Sequence, residues 1–186
     1  MSKTLVITND FPPRPGGIQT FIHGLLQGLD ASEVIVLTSK YKGWQEFDKN
    51  QNYKVIRYDS EMLLPTPSFS DFAVKIAKEN ECESVLFGAS SPLGLLSKTL
   101  KKNGIKKTVA ITHGHEVGWS FTPGLKQTFQ KIVKDNDNLT YLTKFTYQKI
   151  SEAIDSDQLT KFEQLRSEEH TSELHHMSES RMPSSA

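Results

Sequence analysis

Apolar positions along this chain fall into two alternating patterns, short unbroken runs and stretches with helical spacing. Leu5-Val6-Ile7 is an unbroken run of strand length, as expected of a strand covered on both faces. Asn9-Asp10-Phe11-Pro12-Pro13-Arg14-Pro15-Gly16-Gly17 follows. Its three prolines forbid a helix, and its two glycines permit backbone angles that other residues avoid. Ile18, Phe21, Ile22, Leu25, Leu26 and Leu29 then recur at helical spacing and predict a packed stripe about 18 Å long. Val34 to Leu37 predicts a second buried strand and the weak alternation over 53–58 a third, with the polar and aromatic stretch 41–52 between them read as a loop. Pro65 and Pro67 precede a helix predicted over 70–80, with Phe72, Ala73 and Ile76 facing inward. Val85-Leu86-Phe87 is the next strand. In the small-residue turn Gly88-Ala89-Ser90-Ser91-Pro92, Ser91 is the expected cap and Pro92 the first helical residue. Leu93, Leu96 and Leu100 carry that helix to the stop at Asn103-Gly104. A strand over 107–112, a helix over 123–134, a strand over 138–142 and a helix over 144–154 complete the pattern. Strands alternating with helices at this pitch predict an α/β doubly wound parallel sheet, Rossmann-like in class. Ligands of such sheets collect beyond the strand C-termini, which singles out three turns: 9–17, 88–91 and 113–119.

Strand, glycine turn and helix are how a chain builds an anion site. The first-turn N–H groups lack internal partners, and the aligned peptide dipoles leave partial positive charge there. Gly16 and Gly17 carry no side chain to hold a phosphate away. Neither G-x-G-x-x-G nor G-x-x-x-x-G-K-[ST] occurs, so a turn that merely redirects the chain stays open beside the anion reading. The turn after the 107–112 strand reads Thr112-His113-Gly114-His115-Glu116-Val117-Gly118-Trp119. A metal site there would need His113 and His115 to converge from a loop without cysteines or an H-E-x-x-H helix. A histidine satisfied by backbone groups is the bland alternative. The third reading is an imidazole that meets a sugar hydroxyl or phosphate oxygen beyond the strand end.

Length and charge narrow the classes. A chain of 186 residues is one domain by size, able to bury roughly 70% of its unfolded surface. Formal net charge is zero, so no global pull on nucleic acid exists and no nucleic-acid partner is expected. Cys82 is the single cysteine, which excludes an internal disulfide and fits a reducing cytosol. Flanked by Glu81 and Glu83, whose charges would raise its pKa, it is expected to be an inert thiol. No apolar run approaches the ~20 residues that span a bilayer, and no export signal opens the chain, so a cytoplasmic location is expected.

The last stretch departs from this pattern. Residues 166–186 hold one Leu, two Met and no aromatic, too little for a core. Arg166 to Leu174 resembles the in-frame translation of a sequencing-library adapter. The expected division is therefore a domain over 1–165 and a disordered, non-native tail over 166–186. Without that tail the chain holds 20 basic against 18 acidic side chains. His170, His175 and His176 fall in it and are not expected to bind metal.

The motifs Asp10-Phe11-Pro12-Pro13-Arg14-Pro15-Gly16-Gly17-Ile18-Gln19 and Thr112-His113-Gly114-His115-Glu116-Val117-Gly118-Trp119 together resemble those of actinobacterial phosphatidylinositol-mannoside mannosyltransferases. The resemblance covers most of residues 3–155. It implies a retaining glycosyltransferase of the glycosyltransferase-B fold that uses GDP-mannose and a lipid-linked acceptor, without a bound metal or other cofactor. By it, Gly16 and Gly17 would approach the donor diphosphate and the transferring sugar. His113 would be the sugar-contacting catalytic histidine, and Asp10, Arg14, His115 and Glu116 would line the acceptor side. Such enzymes place two Rossmann-like domains across a cleft, and the C-terminal one supplies most nucleotide contacts. The expectation is an N-terminal, acceptor-side half with negligible turnover by itself, since leaving-group stabilisation would rest on one helix N-terminus.

Lys98, Lys101, Lys102, Lys106 and Lys107 crowd one helix end and the next turn. A solvated face that complements the helix dipole is the default, and peripheral docking on the inner membrane face is the added expectation. Trp44, Phe47, Phe69 and Trp119 are read in loops, where they would touch lipid or sugar or pack in the core. The alternative function is a non-catalytic α/β phosphate- or nucleotide-binding module. A hydrolase with His113 as base ranks last, because Ser90 and Ser91 lack the G-x-S-x-G elbow.

Overall fold

A computed structural model describes residues 2–114, 118, 122 and 124–165. His115, Glu116, Trp119 and the 166–186 tail lie outside the described residues. Seven strands form one sheet: β1 Lys3–Thr8, β2 Val34–Ser39, β3 Lys54–Tyr58, β4 Cys82–Phe87, β5 Lys107–Thr112, β6 Asn138–Tyr141 and β7 Phe162–Gln164. Their order is β3-β2-β1-β4-β5-β6-β7, and every pairing is parallel. The expected doubly wound Rossmann-like sheet is thus present, and its strand order reverses direction between β1 and β4.

Two layers of helix cover it. On one face α1 (Gly17–Gln27) and α2 (Trp44–Lys49) pack Ile22, Leu26 and Phe47 against Val6, Val34, Val36 and Ile111. On the other, α3 (Pro67–Glu79), α4 (Ser97–Lys102), α5 (Leu125–Asp135) and α6 (Lys144–Ser151) pack on Leu5, Ile7, Ile35, Leu37, Phe87 and Ala110. Val6 faces one layer while Leu5 and Ile7 face the other, which is the period-two alternation of a strand buried on both sides.

Several local expectations are corrected. The 41–52 stretch holds the one-and-a-half-turn helix α2, entered through Gly43 at φ 82°, with no fully buried residue to reveal its period. α3 starts at Pro67, capped by the Thr66 side chain on the Phe69 N–H at 3.3 Å, so Phe69 is a core residue and not a loop aromatic. Leu29 lies past the end of α1 and is 46% exposed. Pro92, not Ser91, stands at the cap of the 3₁₀ turn Leu93–Leu96, and the buried Ser91 hydroxyl caps nothing. The Cys82 thiol is pushed up, as expected, but by burial; Lys3 and Lys54 pull the other way, and the neighbouring glutamates are not the cause.

Candidate functional site

The C-terminal ends of β1, β4 and β5 meet at the reversal point of the sheet. Gly88, the residue after β4, donates its N–H to Ile7 O of β1 at 3.0 Å, and Ser90 N–H donates to Ile111 O of β5 at 2.8 Å. The 88–91 turn is therefore stitched to both neighbouring strands. His113, the residue after β5, donates its Nε2–H to Gly88 O at 2.6 Å; the carbonyl can only accept, which fixes that nitrogen as protonated. The imidazole stands edge-on to the Phe21 ring of α1, with centroids 5.8 Å apart and planes at 85°. Phe21 is four residues, about one helical turn, beyond Gly17. The glycine turn and the histidine turn accordingly share one corner of the molecule.

Why α1 begins where it does follows from Gly16. Its φ of 153° is a backbone state that side chains avoid, and a Cβ there would collide with the Gln19 amide. Gln19 is held in turn, its Nε2 donating to Asp10 Oδ1 at 2.9 Å. Asp10 closes the strand end as well, through its N–H to Thr8 Oγ1 at 2.9 Å. Its carboxylate thus serves as a brace of the turn. Gly17 differs: a Cβ would meet nothing within 4 Å, so the fold itself does not demand glycine there. The open N-terminus of α1 has no side-chain cap, leaving a main-chain donor surface suited to an anion.

Arg14 lies on the other flank. Its Nη2 donates to Glu61 O at 2.8 Å, beyond β3, and its guanidinium sits 5.2 Å over the Tyr41 ring, beyond β2. The structure therefore brings Asp10, Gly16, Gly17 and His113 to one corner and sends Arg14 toward the β2–β3 side. Asn9 pins the same flank by a reciprocal pair with Leu63, donating to its carbonyl at 3.0 Å and accepting its N–H at 2.6 Å.

Sequence reasoning missed Arg57. It is almost fully buried and forks onto Asp48 of α2, with Nε to Oδ2 at 3.1 Å and Nη2 to Oδ1 at 2.7 Å. It also donates to Ser39 O at 2.9 Å and Pro12 O at 2.7 Å. An arginine inside an otherwise strand-like run was the only local sign of it.

The lysine cluster sits at the opposite edge. Lys107 opens β5 and His113 follows its end, roughly 20 Å away at about 3.3 Å per residue. Lys101 pairs with Asp137 and Lys106 with Glu83, each at 2.6 Å. Among the described residues no cluster of three or more His, Cys, Asp or Glu could hold a metal ion, and no helix is long and apolar enough to cross a membrane.

No protein-family model matches the chain. It is 41% identical over 156 residues to a GDP-mannose-dependent monoacylated alpha-(1-6)-phosphatidylinositol monomannoside mannosyltransferase of Corynebacterium glutamicum. It is 36% identical to the GDP-mannose-dependent alpha-(1-6)-phosphatidylinositol monomannoside mannosyltransferases of Mycolicibacterium smegmatis, over 154 residues, and Mycobacterium tuberculosis, over 160. These alignments take in 81–83% of this chain but only 40–42% of the relatives. In fold it is similar to Anabaena HepE, crystallised with UDP and glucose, with a TM-score of 0.69 at 9% identity, over 89% of this chain and 44% of that one. The Rossmann-like architecture is thus shared with a part of HepE. The chain is a homologue, over about two fifths of their length, of the actinobacterial GDP-mannose-dependent phosphatidylinositol monomannoside mannosyltransferases.

Proposed function

We propose that residues 1–165 form the N-terminal, acceptor-side half of a retaining mannosyltransferase that moves mannose from GDP-mannose to a phosphatidylinositol-mannoside lipid at the cytoplasmic face of the membrane. The observation that carries this reading is the shared corner at the sheet reversal, where the bare N-terminus of α1 and the His113 imidazole meet through Phe21 and Gly88. In this reading the Gly16 and Gly17 main chain receives the donor diphosphate, complementing its charge with the helix dipole. His113 holds the transferring sugar by hydrogen bonding, its ring fixed by Gly88 O. Arg14 faces the acceptor side from the β2–β3 flank, and His115 and Glu116 belong to the same side by resemblance. The reaction needs no metal. A half-site cannot enclose its donor, so the chain alone has negligible turnover. The 166–186 stretch plays no part, being non-native in origin.

The test is transfer from GDP-mannose to phosphatidylinositol monomannoside by the longer enzyme, wild type against His113→Ala. The variant is expected to lose about 100-fold or more in kcat, the scale set by loss of one polar contact made in the transition state. Unchanged rates in a folded variant would remove His113 from the chemistry.

A further inference from the structure

Asp10 and Gln19 brace the two ends of the turn that presents Gly16 and Gly17, but its proline stretch needs a hold from outside. Pro12, Pro13 and Pro15 have no N–H to give, so the segment makes no ladder of its own and must be held through its carbonyls and side chains. Arg57 supplies that hold from the edge strand β3. Its side chain is 2% exposed, and its fork spans Asp48, Ser39 O and Pro12 O while the guanidinium lies 5.6 Å from the Phe11 ring centroid. A buried guanidinium is tolerated only when its donors are met, so these partners fix one another's positions. Phe11 is itself 1% exposed and walled by Phe47 and Tyr53, which leaves the backbone at Pro12 little freedom. Lysine cannot reproduce the arrangement, since one ammonium cannot serve a carboxylate in two-point fashion and two carbonyls on different segments.

We infer that Arg57 is a positioning residue of the candidate site: by gripping Pro12 O while locked to Asp48, it sets the path on which the proline turn delivers Gly16 and Gly17 to the anion. This rests on the donor reading above. Arg57 itself touches no substrate.

The test uses the longer enzyme that supplies both halves of the cleft, labelled with ¹⁵N and titrated with GDP-mannose. Wild type is expected to show saturable shifts at the Gly16, Gly17 and Ile18 amides. In Arg57→Lys the two glycine amides are displaced before any ligand is added, the β4 and β5 amides stay in place, and affinity falls about fivefold, as for loss of one hydrogen bond. A merely structural arginine would lower the melting temperature and leave the glycine amides and the affinity of the folded molecules unchanged. That result overturns the inference. Should Arg57→Lys not fold, the paired variant Asp48→Asn with Arg57→Gln leaves no unpaired buried charge. It is expected to show the same displaced glycine amides, and undisplaced ones overturn the inference equally. A wild-type chain whose glycine amides ignore GDP-mannose sinks the donor reading instead, while the ligand-free displacement still reports on Arg57.

Discussion

Gly88→Ala is the sharpest probe of the shared corner. A Cβ built on Gly88 would lie 2.6 Å from Thr8 Cβ and 2.5 Å from Thr8 Oγ1. The hydroxyl can rotate away, but Thr8 Cβ is fixed to the backbone of β1, so no rotamer relieves the clash. Carbon pairs rest at about 3.5–4.0 Å, so the ends of β1 and β4 must part by about 1 Å. Overpacking of this kind costs about 1–3 kcal/mol, and weakening the Gly88–Ile7 and Gly88–His113 bonds adds about 1. Alanine restricts the unfolded chain and returns roughly 0.5–1 kcal/mol. The net loss is about 2 kcal/mol, a fall of roughly 4–8 °C in Tm for a domain of this size. Thermal unfolding followed by circular dichroism measures the loss, and long-range ¹⁵N correlation spectra read whether His113 keeps Nε2 protonated. Gly17→Ala is the control: with open space around its Cβ it should melt at the wild-type temperature or slightly above. A Gly88→Ala protein that melts with wild type and keeps its histidine tautomer would refute the steric argument.

Two further outcomes follow from charge. Burial pulls the Asp137 carboxyl upward, but hydrogen bonds from Lys101 and from the Thr108 N–H and hydroxyl outweigh it and hold it below its ordinary 3.8. A depressed folded pKa gives stability that is complete above the unfolded value and lost as pH falls through the folded one. Asp137→Asn should therefore lower the urea midpoint at pH 6.5 and narrow its gap to wild type near pH 3; a gap equal at both pH values would contradict this. The lysine edge is proposed to dock on anionic lipid, with Lys98, Lys102 and Lys107 contributing beside the ion-paired Lys101 and Lys106. Sedimentation with phosphatidylinositol vesicles should then fall steeply with salt, and salt-independent or absent binding would remove the proposal.

The strands legible in sequence are those whose burial is locally complete. Leu5-Val6-Ile7 and Val34 to Leu37 are apolar without a break because helices cover both faces. β7 was not legible: of Phe162-Glu163-Gln164 only Phe162 is buried, and the segment becomes a strand by pairing with Leu139 to Tyr141. α2 was hidden for a related reason, since six residues without a fully buried side chain give no period to read. At the site, Gly16, Gly17 and His113 were singled out by their place just past predicted strands and by the resemblance of the two motifs. Asp10 was seen, but its bond to Gln19 was not, because nothing in the local pattern ties a helix glutamine back to the turn that precedes it. Arg57 meets Pro12 across 45 positions of sequence, a pairing that only the folded sheet creates.

One helix carries both sides of the corner. Gly17 opens α1 and Phe21 rests on the imidazole from the same helix. The tip and the ring contact lie one turn apart on a single hydrogen-bonded segment. On the donor reading, the contact made at the tip and the contact made at the ring are thus carried by one element.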